Sequence, residues 1–598
     1  MYEETQNHIQ RSCGTKRCLK RGSLIALGIG LVLSGCAGTD SMSETGELGE
    51  ALLNGTVVVP WSPTSPVPEA KGIVELSWDS SGVNSNCTGT VVKPSWVLTA
   101  AHCAFAAGAF AVSQRPAPQT NVVRTVDAVV YDQFSDIEML HLDQPFTDVP
   151  LTPVYAGTPG EVIGSTMRCY GYGNRDGSVT AAQLTYADFV PVQAGAPYLF
   201  PSYLATVPNA SGQIQRPGDS GGPCLIGGAV AATDSYGPAN LSYAILTSTP
   251  LHRDAVVTPS RTQYTVGDFN KDGRSDYIAT TPSGSTWYYS LPQGGYTIDA
   301  HPELRLSEVT FTPGDFNKDG RTDLVVTTAA GSAWWYATAT QASWNIAITR
   351  PDLILHGVQF TPGDFDGDGD TDLVISTASG SEWHYASNTS FIKKMTATSL
   401  PIAQVQFTPG DFNGDHRTDL IVTTLNGSSW VTYNGALSST IAPTRADLTL
   451  SNISYTPGDF DGDGRTDVII TTPGGSWWYY AVGSASNKIT WNETAYPARR
   501  DLTLGKVTFS AADYSGDKKV DLTIITASGT YWYYSTGRAW SEAPARGDLP
   551  LGSVAYTNAD FNADGKKDLI ITTEGGSWWY QSAGTSWTQL RSDRSLPL

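Results

Sequence analysis

The chain has 598 residues, among them 60 Gly and 35 Pro, with only 16% charged residues and 10% aromatic ones. That length is more than one hydrophobic core serves, and the composition favours short strands joined by tight turns, so an all-β chain of several domains is expected. The formal net charge of -20 excludes the basic surface that a nucleic-acid partner requires.

Lys16, Arg17, Lys20 and Arg21 precede an apolar run from Ser23 to Leu33 and then small residues, the pattern of an export signal occupying residues 1–36. Eleven residues are too few to span a bilayer as a helix. Leu33-Ser34-Gly35-Cys36 resembles the lipobox of bacterial lipoproteins. The resemblance implies a lipid on Cys36, with Ala37 favouring an outer-membrane address, so that lipid is the expected route to a membrane. Residues 37–51 then form a linker or propeptide. Of seven Cys, Cys13 and Cys18 fall in the leader and Cys36 carries lipid. Cys87, Cys103, Cys169 and Cys224 remain, an even number in one domain, as two disulfides in an oxidising compartment require.

Val97-Leu98-Thr99-Ala100-Ala101-His102-Cys103 reads as a buried strand running into a small-residue turn that presents a His. Farther on, Arg216-Pro217-Gly218-Asp219-Ser220-Gly221-Gly222-Pro223 flanks a Ser with glycines, which permit a tight turn and leave backbone N–H groups free to face a carbonyl. Together, in that order, the two segments resemble the chymotrypsin/trypsin family over residues 52–255. The resemblance implies a two-barrel serine endopeptidase that needs no cofactor for its chemistry. Ser135-Asp136-Ile137-Glu138-Met139-Leu140 resembles the family segment holding the third member, which makes Asp136 the carboxylate that orients His102. Asp132 and Asp143 lie nearby, but neither is followed by the apolar strand that would bury it.

The resemblance assigns further roles. The N–H groups of Gly218 and Ser220 form the oxyanion hole. Cys87 pairs with Cys103, sixteen residues on. Cys169, just before Gly171-Tyr172-Gly173, and Cys224 are each displaced by two residues from the family pair, in opposite senses, and stay opposite each other in an antiparallel ladder. Ile214 stands where trypsin-like members keep the pocket Asp, and Ser235-Tyr236-Gly237 resembles the pocket wall, so an apolar or small residue before the scissile bond is expected. Leu52-Leu53-Asn54-Gly55 resembles the family's mature N-terminus. Asp219 is the carboxylate that would receive the new amine, which implies a zymogen cleaved before Leu52.

After a linker at 256–262, residues 263–598 repeat an Asp motif that starts at Asp268, Asp315, Asp364, Asp411, Asp459, Asp513 and Asp560, with spacings of 47, 49, 47, 48, 54 and 47. That period, with short strands in each unit, indicates a seven-bladed β-propeller. The units resemble FG-GAP repeats of the kind found in integrin α subunits. Oxygen ligands at positions one, three, five and nine, with a backbone carbonyl at seven, suit Ca²⁺. They are Asp268, Asn270, Asp272 and Asp276; Asp315, Asn317, Asp319 and Asp323; Asp364, Asp366, Asp368 and Asp372; Asp411, Asn413, Asp415 and Asp419; Asp459, Asp461, Asp463 and Asp467; Asp513, Asp517 and Asp521; and Asp560, Asn562, Asp564 and Asp568. His416 and Lys518 replace the turn Gly, Ser515 replaces a ligand, and the 513–521 loop should bind least well.

Each unit also has a Trp three residues after a turn Gly: Trp287, Trp334, Trp383, Trp430, Trp477, Trp532 and Trp578. Packing between blades is the favoured reading, a carbohydrate platform the other. Later units open on an Arg/His-x-Asp/Glu-Leu-x-Leu element, and Arg591 to Leu598 is expected to supply a replacement strand that closes the ring. The whole describes an exported peptidase acting on protein or peptide, outer-membrane bound or secreted after processing, whose propeller takes substrate, carbohydrate or a surface ligand. A calcium-dependent adhesin or lectin with a vestigial protease fold is the alternative.

Overall fold

The computed structural model describes residues 56–57 and 72–598, except 81–82, 104–107, 114–120, 132–135, 148, 156–158, 174–183, 194–202, 216–217, 236–241, 247–255, 257, 293–294, 340–342, 434–437, 441–443, 484–488 and 493–497. Among the described residues no helix is long and apolar enough to cross a membrane. The export signal, Cys36 and Leu52 lie outside the described residues.

Six strands, β2 (Ile73–Ser80), β3 (Val83–Lys93), β4 (Trp96–Thr99), β5 (Phe110–Ser113), β6 (Val122–Tyr131) and β7 (Glu138–Leu142), close into a barrel in the order β2-β3-β4-β7-β6-β5. Trp96 to Thr99 are all buried, as the unbroken apolar run before His102 demands. The barrel core joins Val74, Leu76, Val97, Leu140 and Phe146. A second sheet has eight strands in the order β1 (Thr56–Val57), β9 (Thr185–Phe189), β8 (Met167–Gly171), β12 (Pro223–Ile226), β13 (Ala229–Asp234), β14 (Ser242–Leu246), β11 (Tyr203–Thr206) and β10 (Val192–Gln193). Its end strands β1 and β10 are not paired with each other among the described residues, so the expected second barrel is present as this sheet. A second cluster, including Leu98, Tyr170, Tyr172, Leu225 and Val230, fills the space between the two sheets and sets the cleft in which the catalytic candidates meet.

Seven four-stranded antiparallel sheets follow: Gln263–His301, Val309–Arg350, Val358–Ala397, Val405–Thr440, Ser454–Asn492, Val507–Glu542 and Ala555–Asp593. Each sheet uses consecutive strands, so no strand is exchanged to close the ring. A hydrogen bond runs from loop position eight of one blade to the carbonyl of position one in the blade before, from Thr322 to Asp268 through Lys567 to Asp513, and Ser275 to Asp560 completes the circle, all at 2.6–2.8 Å. Aromatic packing repeats the same closure. Trp287, Trp334, Trp383, Trp430, Trp478 and Trp532 each meet the innermost strand of the next blade edge-on at 5.4–6.2 Å, and Trp579 meets Tyr264 of the first.

Two sequence expectations are corrected here. In the fifth and seventh blades a Gly-Gly pair offers two registers, and the strands begin at the second Gly, Gly475 and Gly576. The inward Trp is therefore Trp478 or Trp579, while Trp477 and Trp578 lie half-buried on the other face. The Leu-x-Leu element ends a blade rather than opening the next. The first hydroxyl of each third strand, from Ser285 through Ser577, donates to its first Leu carbonyl, from Leu304 through Leu596, at 2.6–2.7 Å in all seven blades. Residues 591–598 thus complete the seventh blade as the other ends complete theirs.

Candidate functional site

His102 sits on the single turn Ala101–Cys103 that follows β4, tied down by the Cys87–Cys103 disulfide to β3. Asp136 precedes β7, which pairs with β4, so two adjacent strands deliver His and Asp to the same end of the barrel. Asp136 Oδ1 accepts the His102 backbone N–H at 2.6 Å, and Oδ2 lies 2.6 Å from His102 Nδ1. His102 Nε2 is 2.9 Å from Ser220 Oγ. The imidazole is 41% exposed and the Asp136 carboxylate 12%, so substrate can reach the base while its partner stays sheltered.

The Ser220 loop is positioned across the cleft by Thr88 of β3. Its N–H donates to the Ser220 carbonyl at 2.8 Å, and its hydroxyl donates to the Gly218 carbonyl and accepts from the Tyr172 N–H, both at 2.9 Å. Gly221, at φ +80°, leaves no room for a side chain, because a Cβ there would lie 2.0 Å from Thr99 Oγ1. Gly218 is also left-handed, at φ +98°. Among the described residues the N–H groups of Gly218 and Ser220 have no acceptor. Asp219 is fully buried, accepts the Gly173 N–H at 3.1 Å and packs against Gly171. The second disulfide joins Cys169 and Cys224, direct partners on β8 and β12.

In the propeller, the seven Asp loops share one hydrogen-bond plan. Oδ2 of the first Asp accepts the N–H of position six in every blade. The ninth, fully buried in every blade, accepts the N–H of position two. Burial pushes Asp276, Asp323, Asp372 and Asp419 up to about 7, Asp467 to about 8, and Asp521 and Asp568 to about 6. Position six is left-handed throughout, His416 (φ 65°) and Lys518 (φ 68°) included, so the Gly replacements keep the turn.

The loops differ in how well they fit a cation. Among the described residues, three carboxylate oxygens gather within 4.8 Å in Asp364, Asp366 and Asp372 and in Asp459, Asp461 and Asp463. Asp461 Oδ1 is buried with no partner among the described residues. In the first, second, fifth, sixth and seventh loops the position-five carboxylate is paired with the basic residue at seven, as in Arg321–Asp319 at 3.0 Å and Lys519–Asp517 at 2.7 Å, and Asp461 of the fifth also meets Arg538 at 3.2 Å, but only the third and fifth loops have Asp rather than Asn or Ser at position three. The donor sets of the third and fifth loops therefore fit a hard cation best, and Ser515 leaves the sixth the poorest.

Residues 65–249 match the family model described as Trypsin, and 268–326, 315–375, 364–422, 411–470 and 459–524 match the FG-GAP-like repeat. The chain carries a trypsin domain followed by FG-GAP-like repeats. No curated protein matches it. Similar solved structures include an Agrocybe aegerita lectin recognising non-reducing terminal N-acetylglucosamine, 12% identical over 54% of this chain and 90% of that one, TM-score 0.44. A scabies mite inactivated protease paralogue is 17% identical over 30% of this chain and 90% of its own, TM-score 0.26. HL collagenase is 14% identical over 32% and 92%, TM-score 0.27. The repeat matches stop at residue 524, whereas the blades continue to Asp593.

Within the trypsin domain Ser235 also contacts the triad. Expected on the pocket wall, it is buried beneath the triad, where its hydroxyl donates to Asp136 Oδ2 at 2.6 Å and its carbonyl accepts from Ser220 Oγ at 3.3 Å. Thr88 carried no motif and was missed; only its place one residue after Cys87 could have drawn attention. Ile214 is buried, beside Gln215, whose Oε1 accepts from Thr206 Oγ1 at 2.7 Å. Tyr236 and Gly237 lie outside the described residues.

Proposed function

We propose that the chain is an exported serine endopeptidase whose FG-GAP propeller binds calcium and holds substrate or a surface ligand. The observation that carries the enzymatic reading is the line of contacts from Ser235 through Asp136 and His102 to Ser220, at 2.6, 2.6 and 2.9 Å. In it His102 Nε2 takes the Ser220 proton as Oγ attacks the peptide carbonyl, then returns it to the leaving amine. Water repeats the cycle to release the acyl group. Asp136 holds the imidazole tautomer and stabilises the imidazolium. The N–H groups of Gly218 and Ser220 receive the oxyanion, each contributing about 3 kcal/mol in the transition state. Buried Ile214 offers no countercharge, so residues other than Lys and Arg precede the cleaved bond.

Export follows from the leader and from two disulfides, which suit an oxidising compartment. Cys36 would carry a lipid anchor, and cleavage before Leu52 would supply the amine for Asp219 while freeing the enzyme; N-terminal sequencing of active material tests that step. The third and fifth Asp loops would hold Ca²⁺, which would neutralise their crowded carboxylates. Two equivalent cavities favour a binding role for the propeller, about 500 Å³ between the sixth and seventh blades and about 610 Å³ between the fifth and sixth. Each is lined by an Arg–Asp pair and a Tyr, Arg546, Asp548 and Tyr580 in one and Arg499, Asp501 and Tyr533 in the other. Planar paired groups beside a ring suit the hydroxyls and apolar face of a sugar. A fluorophosphonate probe tests the enzyme: it should label the wild type and not Ser220→Ala. Absence of labelling under every calcium and processing condition would favour an adhesin with a vestigial protease fold.

A further inference from the structure

Departures from a repeat consensus mark positions under some other demand, and one of the propeller's departures, Glu574, acts on the trypsin domain. Glu574 is the only acid at its place in the turn between second and third strands. The corresponding residues are Pro282, Ala329, Ala378, Leu425, Pro473 and Ala527. Lys93, at the end of β3, donates its ammonium to the Gly552 carbonyl at the end of the sixth blade and feels the Glu574 carboxylate of the seventh. Ser307, at the place in the first blade that Gly552 holds in the sixth, adopts φ 71° and donates its hydroxyl to the Val129 carbonyl of β6. Arg261 Nη2 reaches Asp127 Oδ2 at 3.5 Å, and Oδ1 of that carboxylate lies 2.5 Å from His141 Nδ1 on β7. Leu306, at the end of the first blade, belongs to the same buried cluster as Trp96, Val130 and Ile137.

We infer that the end of the propeller formed by its sixth, seventh and first blades is a docking surface for the chain's own trypsin domain, keyed by Lys93 against Gly552 and Glu574. The contacts fall on one end of the ring, opposite the Asp loops, because the blade ends and the second-to-third-strand turns lie at the far end of each strand from those loops. They touch β3, β6 and β7, the strands that neighbour or carry the approach to His102 and Asp136. Docked in this way, the propeller presents whatever its open blades hold in one direction to the protease. That last consequence rests on the proposed binding role of the propeller; the docking itself does not.

The test uses the full chain with Ser220→Ala, which prevents self-digestion and makes the readout independent of peptidase activity. Small-angle scattering reports compactness, and nicking of residues 247–262 by an added protease reports opening. Lys93→Glu, which sets a carboxylate against a carbonyl and Glu574, should expand the particle and speed nicking ~tenfold or more, since such cleavage follows the open population. Lys93→Glu with Glu574→Lys should restore both readouts. If Lys93→Glu does not fold, Glu574→Lys alone, on an exposed turn, should open the pair by facing Lys93 with a second cation. Scattering and nicking identical to the parent in the charge-reversed single variants would overturn the docking surface, as would a parent already extended in solution.

Discussion

Replacing Ser235 with Ala isolates the one triad contact that the motifs did not announce. Asp136 accepts three hydrogen bonds of 2.6 Å, from the His102 backbone, from Nδ1 and from Ser235 Oγ. Losing the third leaves the carboxylate in place with two donors, one of them the imidazole it must orient. A hydrogen bond to a charged group is worth about 1.5–3 kcal/mol, but relaxation of a mostly sheltered carboxylate recovers part of it. A loss near 1.4 kcal/mol corresponds to about tenfold in rate. Steady-state cleavage of a chromogenic peptide should therefore show kcat about tenfold down with KM nearly unchanged, because Ser235 orients a catalytic group and its loss removes transition-state stabilisation. Asp136→Asn should cost about 10⁴, the scale for a wrong imidazole tautomer. A Ser235→Ala enzyme within twofold of wild type, or one as slow as Asp136→Asn, would refute this reading of the hydrogen-bond line.

Chelation should lower the propeller's melting transition, each occupied site contributing about 2.7 kcal/mol at hundredfold saturation, and Asp461→Asn should reduce that response more than Asn562→Ala. Peptides with Leu, Phe or Ala before the scissile bond should be cleaved faster than Arg or Lys peptides; preferred cleavage after Arg would remove Ile214 from the pocket. His416→Gly and Lys518→Gly should each stabilise by about 1 kcal/mol in chemical denaturation, since both positions have φ above 60°. Burial lowers Lys93 to about 8 against partial support from Glu574, which shares a cavity lining with the Arg546–Asp548 pair. A docked lysine that binds its proton less tightly than a free one loses less by giving it up, so docking should tighten as pH rises from about 8 towards 10.5, read by slower nicking of residues 247–262.

The triad was legible because its chemistry leaves so few choices of residue: His102 and Ser220 stand in motifs whose glycines and buried strand have local physical reasons, and Asp136 precedes the strand that pairs with the one leading to His102. Thr88 and Ser235 were not legible. A hydroxyl that bridges two sheets is indistinguishable in sequence from any other strand Thr or Ser, and its value appears only once β3 and the Ser220 loop are brought together. The blade count was legible from the spacing of the Asp loops. The registers of Trp478 and Trp579 were not, because Gly474-Gly475 and Gly575-Gly576 each allow two strand starts, and only the neighbouring blade's aromatic selects one.

The ring closes by the same bonds that join every other pair of blades, and this explains why departures from the repeat can be read at all. When Ser275 meets Asp560 as Thr322 meets Asp268, no blade is structurally exceptional, and a residue that differs has to be explained by what lies outside the ring. The boundary between the third and fourth blades lacks the Arg–Asp pair, with Ala397 and Ser399 in its place, and there Val431 stands where the fifth, sixth and seventh blades have Tyr479, Tyr533 and Tyr580. At the boundary between the seventh and first blades the pair is also replaced, by Asp593 and Ser595, yet the first blade keeps Tyr288, so pair and ring do not vary together at every boundary. Glu574 shows the complementary case, in which one new charged group appears at a place the other blades leave apolar and acts on Lys93 of the trypsin domain. In a repeat with equal internal bonding, such differences separate what the ring needs to exist from what the chain has added to it for use.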